Sequence, residues 1–249
     1  IILLMTIFSF MSVGWGQDYD ISLSDYKNIR YDNVTYNYLS QDKPFLNILG
    51  QLPPCNDGEV ELWEECYSIE ETTTLWISDN GLSGEIPSEI GELINLTFLS
   101  LYNNELTGEI PESIGNLINL SYLDLGYNQL IGEIPESIGN LIYLNDYLYL
   151  DHNQLVGSIP ESFGNLMYLP NLYLSSNLLS GEIPESIYNL INLGYFSIND
   201  NQLTGVISES IGDFTSLLTI MLSSNNFSDI SGICENNNVQ DVRIENLEL

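Results

Sequence analysis

Between Thr72 and Gly232 the chain has no lysine and no arginine. Its 249 residues hold only four such cations, Lys27, Arg30, Lys43 and Arg243, against 35 acidic residues, for a net charge of -31. A surface that grips phosphate needs positive charge, so nucleic acid and anionic lipid are excluded as partners. Cationic partners stay open, as does plain solubility in a salty medium, where screening shrinks to about 3 Å near 1 M salt.

Histidine is almost absent too. His152 is the only one and stands beside Asp151, a pairing that could serve catalysis only with a nucleophile or metal motif. No Ser or Cys nucleophile motif, HExxH-like pattern or phosphate-cradling loop accompanies it. The sequence therefore offers no catalytic residue, no metal site and no cofactor, and an enzyme is not expected. Some glycosidases work with two carboxylates roughly 5 to 10 Å apart. Carboxylates on an open face, however, lack the enclosure that separates one pKa from its neighbour.

Three cysteines suit an oxidising compartment. Cys55 and Cys66 lie close enough in sequence to form a disulfide in an N-terminal cap over residues 55–74. Metal binding is the alternative, with no further Cys or His nearby to support it. Cys234 has no evident partner.

Long apolar runs are missing as well. Residues 1–16 are apolar and end in Ser12-Val13-Gly14-Trp15-Gly16, which reads as a partial signal peptide and predicts export. The run is short for a membrane span of about 20 residues, and no second span follows. Residues 17–54, rich in Tyr, Asp and Asn, carry no repeat and read as a polar linker or N-terminal extension.

What the chain does have is a ruler. Asparagine recurs at Asn80, Asn104, Asn128, Asn153, Asn177, Asn201 and Asn225, in steps of 24, 24, 25, 24, 24 and 24 residues. Self-similarity at this period marks a solenoid, whose units bury their apolar faces only by stacking on one another. Within one unit, Leu99 and Leu101 alternate with Phe98, Ser100 and Tyr102, a short strand buried on one face. Asn104 follows where the chain turns, and its amide can bond the unpaired backbone of adjacent coils, forming a ladder. Gly108, Ile110 and Pro111 turn a corner. Ile114, Leu117 and Leu120 then recur every three residues, which suits a 3₁₀ turn or a short helix on the convex side.

The full consensus, L-x-x-L-x-L-x-x-N-x-L-x-G-x-I-P, resembles the plant-type leucine-rich repeats of receptor-like kinase ectodomains and polygalacturonase-inhibiting proteins. The resemblance covers residues 75–233 in about seven units. It implies an α/β solenoid, a right-handed coil with a parallel concave sheet and a convex side of 3₁₀ turns or short helices. Trp63-Glu64-Glu65-Cys66 looks like the cap that precedes such arrays. Secreted bacterial proteins carry similar repeats, and a short chain without a kinase resembles those.

Departures from the pattern are informative. Asn145-Asp146-Tyr147 has one residue more than the matching Ser121-Tyr122 and predicts a bulge before that strand. Ser208 replaces the repeated proline, and Asp229 stands near an expected glycine. Residues 234–249 read as a degenerate C-terminal cap, in which Val242-Arg243-Ile244 forms a last strand shielding the open edge.

Strand residues facing away from the core line the concave surface. Read from the register, they gather aromatics and carboxylates in the first five coils: Trp76, Phe98, Tyr102, Tyr122, Asp124, Tyr147, Tyr149, Asp151 and Tyr173. Tyr and Trp give large contact areas at low entropic cost, so this patch is the expected ligand surface. Alternatively, the aromatics merely cover an exposed sheet face. Glu109, Glu133 and Glu182 form one acidic row, and Glu112, Glu136, Glu161, Glu185 and Glu209 another. Coils stack about 4.8 Å apart, so one carboxylate per rung offers too few oxygens for calcium. Four glycosylation sequons begin at Asn33, Asn95, Asn119 and Asn226.

The expected function is a non-enzymatic, secreted or surface-exposed recognition module, monomeric, that binds a protein or peptide through the concave face. The alternative is a carbohydrate-binding or adhesion protein, or an inhibitor of a secreted glycosidase. Ice binding, known for a relative of this repeat type, would want a flat row of threonines where this chain has glutamates.

Overall fold

Each coil can pair its backbone only with the coil beside it, and the strands are correspondingly short. The computed structural model describes residues 26–31, 34–39, 55–235 and 239–243. The segment read as a signal peptide, most of residues 17–54, Asn33 and residues 244–249 lie outside the described residues. The chain divides into two units, residues up to Asn56 and residues from Asp57 onward. In the first, Tyr26–Tyr31 and Val34–Leu39 pair as an antiparallel hairpin, an element that the absence of repeats did not reveal.

The second unit is the solenoid. Eight parallel strands stack in chain order from Thr74–Trp76 through Phe98–Ser100, Tyr122–Asp124, Tyr147–Tyr149, Asn171–Tyr173, Tyr195–Ser197 and Thr219–Met221 to Asp241–Arg243. The last begins one residue earlier than the sequence suggested and pairs Ile220 with Val242. At the other end, Glu59–Leu62 and Glu65–Ser68 form an antiparallel hairpin. Its two-residue turn, Trp63-Glu64, has positive φ at both positions, the twist that tight hairpins require. Val60 and Leu62 enter the core, and the Trp63 indole N–H donates to Glu85 O at 3.1 Å. Cys55 and Cys66 are both disulfide-bonded, while Cys234 is free and exposed.

Every convex side is a five-residue 3₁₀ turn, from Ser88–Glu92 to Ser231–Glu235. Proline precedes the first five turns in extended backbone, for example Pro111 at φ -68, where its missing N–H costs nothing. The third residue of each of these five and the following leucine point inward: Ile114 and Leu117 are fully buried, as are Leu99, Leu101, Leu106 and Leu120. Burying each such side chain contributes about 1.5–3 kcal/mol, so the array is held by its apolar columns.

Adjacent turns approach closely at the glycine of E-S-I-G-N. A Cβ on Gly115 would lie 2.5 Å from Ser137 O. Tyr188 stands at this position three coils later, 5% exposed, with its ring 5.4 Å from Phe214. Burial pushes its hydroxyl up to about 12, and the nearby Ser208 backbone offsets part of the rise. Ser208 replaces the usual proline, so an N–H is present there, and its own Oγ accepts from Ser210 N–H. The two departures from the repeat thus answer each other across neighbouring coils.

Candidate functional site

The polar core beneath the concave sheet is closed. Asn104 Oδ1 accepts from the backbone N–H groups of Asn80 and Leu82, at 3.1 and 2.9 Å, while its amide nitrogen donates to Ile77 O, Leu101 O and Tyr102 O. Asn128, Asn153, Asn177, Asn201 and Asn225 repeat the arrangement, each bonding a backbone N–H of the preceding coil and carbonyls of both coils. Asn80, at the exposed start, contributes its backbone N–H. The residue before each asparagine, from Asp79 to Ser224, has φ between 50 and 55°. Asp79, Asn103 and Asp200 are residue types that tolerate this left-handed backbone, the one sequence signal that marks the column.

Above this floor the aromatics form a belt rather than scattered points. Trp76, 71% exposed, meets Phe98 at 5.8 Å, and Phe98 stacks on Tyr122 at 4.3 Å. Tyr122 lies 6.0 and 6.1 Å from Tyr147 and Tyr149, which stack on each other at 5.1 Å. Tyr149 stacks on Tyr173 at 4.4 Å, and Tyr173 on Tyr195 at 4.6 Å. The extra residue before Tyr147 places the bend in this belt. Asn145 and Asp146 N–H groups both donate to Ser121 O, so pairing resumes only at Leu148 with Leu123 and Tyr149 with Asp124. The belt crosses there from one column of the sheet to the next. Tyr195 belongs to it although the aromatic count of the first five coils left it out.

Tyr102 stands apart in a second stripe, 5.3 Å from Tyr127, whose ring is 4.0 Å from that of His152. Tyr127 lies just past the strand, which is why the alternation rule missed it. Between the stripes sit Asp124 and Asp151. The columns predicted them as exposed, yet they are only 6% and 9% exposed. Tyr122 Oη donates to Asp124 Oδ2 at 3.1 Å and the Gly126 N–H to Oδ1 at 3.0 Å.

Burial pushes both carboxyls up to about 6; for Asp124 the hydrogen bonds from Gly126 and Tyr122 offset part of the rise and the charge of Asp151 adds to it. Burial likewise raises the hydroxyls of Tyr122 and Tyr149, and that of Tyr173 to about 12. At neutral pH these tyrosines are hydrogen-bond donors, and the two aspartates are mostly ionised acceptors. His152 Nε2 is 3.9 Å from Asp151 Oδ2, beyond hydrogen-bond reach. Among the described residues no cluster of three or more His, Cys, Asp or Glu could hold a metal ion. No helix among them is long and apolar enough to cross a membrane.

Family models for Leucine Rich repeats (2 copies) match residues 94–142, and those for a single Leucine Rich Repeat match residues 71–93, 146–166 and 168–190. No curated protein matches the chain. Solved structures do. A plant peptide hormone receptor, RGFR1, in complex with RGF2 is 37% identical with a TM-score of 0.66, over 69% of this chain and 28% of that one. The Arabidopsis receptor kinase HAESA, with the peptide hormone IDA and the co-receptor SERK1, is 32% identical with a TM-score of 0.57, over 62% of this chain and 30% of that one. A plant ice-binding protein is 32% identical with a TM-score of 0.54, over 62% and 50% of the two chains. The chain thus spans half or less of these structures. Repeat phrase, stacked parallel sheet, 3₁₀ turns and these likenesses agree that the chain is a leucine-rich-repeat protein, with repeats of the kind found in plant receptor-kinase ectodomains.

Proposed function

We propose that this chain is a non-enzymatic extracellular recognition module that binds a protein or peptide on the concave face of its repeats. The observation that carries the reading is the belt from Trp76 to Tyr195, continuous rings on an open sheet with Asp124 and Asp151 beside them. Stacked rings are rigid, so little entropy is lost when a ligand covers them, and their hydroxyls supply direction. Similar solved structures include a receptor bound to a peptide hormone, which supports a peptide more than a sugar.

Titration of candidate peptides and secreted proteins against the wild type, Tyr122→Ala and Tyr149→Ala tests the reading. Either variant should weaken a true ligand about 30-fold, or about 2 kcal/mol, the loss expected of a central anchor. Unchanged affinity in both rejects the face. A ligand found only on a glycan array would move the assignment to the carbohydrate alternative.

A further inference from the structure

Along the third column of the concave sheet the chain places Tyr102, Gly126 and Asp151 on three successive coils. Gly126 has no side chain, and a notch opens between its neighbours. A Cβ built there would lie 3.1 Å from Asp151 Oδ1 and 3.2 Å from Asp124 Oδ1, so both carboxylates are aimed at the same small space. Tyr102 occupies the same column one coil earlier, and Tyr122 lies on the same coil as Gly126, donating to Asp124.

Asp151 is the less satisfied of the pair. It is only 9% exposed, and the His152 ring stays 3.9 Å from its carboxylate. An ionised carboxylate has about four acceptor positions, and a buried one without partners is expensive. The array itself cannot supply a guanidinium or ammonium donor, because it has no lysine or arginine between Thr72 and Gly232. A ligand can.

We propose that the notch over Gly126 seats an arginine side chain of the bound protein or peptide, its guanidinium donating to Asp124 and Asp151 between the rings of Tyr102 and Tyr122. The proposal rests on the concave face being the protein- or peptide-binding surface. Arginine fits better than the other cations. Its planar fork reaches two carboxylates at once, it is more weakly hydrated than an ammonium, and its faces stack on aromatic rings. Calcium would need six or more oxygens, and no third acidic group converges here among the described residues. The net charge of -31 brings any basic ligand toward the protein, but only the notch selects a guanidinium over diffuse positive charge.

Two measurements test this separately from the reading beneath it. In the first, Nα-acetyl-arginine amide and its neutral citrulline counterpart are titrated into isotope-labelled protein, with the Gly126 amide resonance observed. Arginine should shift that resonance at millimolar concentration and citrulline should not; no shift, or equal shifts, overturns the proposal.

In the second, a random peptide library is panned against the wild type, Gly126→Ala, Asp124→Asn/Asp151→Asn, and the charge-matched control Glu109→Gln/Glu133→Gln. Arginine should be enriched at one fixed position on the wild type and the control. For peptides so selected, binding should weaken at least tenfold in the two notch variants, whose folding is checked by circular dichroism. Arginine enrichment that survives in the notch variants means attraction by the overall field and overturns the proposal. Selected peptides without arginine would leave the face as a binding surface and sink the notch. An arginine amide that binds at Gly126 while no peptide is selected would keep the notch and sink the peptide reading.

Discussion

Asp151 and Asn153 lie two residues apart on one coil and are equally buried, each 9% exposed, yet one faces the concave surface and the other the core. Asn153 has spent its side chain. Its oxygen accepts from Leu130 N–H, and its nitrogen donates to Leu125 O, Leu150 O and Asp151 O, all at 3.0–3.2 Å. The Asp151 carboxylate, with the His152 ring 3.9 Å away, has acceptor capacity to spare. Asn153, with every bond made, belongs to the scaffold, whereas Asp151 on the concave side belongs to the surface proposed for a partner. The inner face is constant from coil to coil because its partners are internal. The concave face is free to vary because no such internal partner fixes it.

The largest effect should come from breaking the satisfied side. Asn153→Ala leaves one buried N–H and several carbonyls without their shared partner, and should cost about 3–4 kcal/mol, read as a lower denaturant midpoint. A loss under about 1 kcal/mol would mean that water replaces the amide and that the ladder is not essential.

The concave side should respond in the opposite sense. The carboxyl of Asp151 is raised from 3.8 to about 6 by burial, so the folded state holds this proton more tightly than the unfolded chain. The contribution of this group to stability is therefore complete below about pH 4 and is lost as pH rises through 6. Asp151→Asn should match the wild type near pH 3 and exceed it by about 2 kcal/mol at pH 7, measured as paired urea titrations across that range. A variant less stable than the wild type at pH 7 would show that Asp151 is scaffold after all.

A smaller effect sharpens the same contrast at the corner glycines. Gly132 and Gly181 have nearly the same backbone, φ +78 and +79, but a Cβ on Gly132 would lie 2.7 Å from Glu109 Cγ and one on Gly181 3.7 Å from Ser158 Cβ. Both Gly→Ala substitutions carry the strain of positive φ, worth about 1 kcal/mol. Gly132→Ala must also displace a glutamate, and should cost about 1 kcal/mol more. Equal midpoints for the two variants would show that Glu109 moves freely.

Much of the constant side was legible in the residues. The leucine columns, the asparagine ruler and the proline before the first five turns announce strand, ladder and 3₁₀ turn because each is fixed by local backbone chemistry repeated every 24 residues or so. The single 25-residue step marked its bulge correctly, since one extra residue before Tyr147 has to go somewhere. Ser208 was visible only as an exception. The buried Tyr188 hydroxyl, whose pKa its backbone tempers, lies a coil away. The concave residues were likewise named from register. Their burial was not, and the alternation that exposed Asp124 and Asp151 on paper ignored the tyrosines that flank them on adjacent coils.

The sequence by itself determined the period, the inward columns and which side chains face the concave surface, because those follow from backbone geometry within one coil. Only the tertiary structure decided which of them touch. Stacking brings residues some 24 positions apart to within ring contact, turns separate tyrosines into a diagonal belt, and takes water away from two aspartates over a glycine. Solvation and lateral contact are properties of neighbouring coils taken together, so no single repeat could show them.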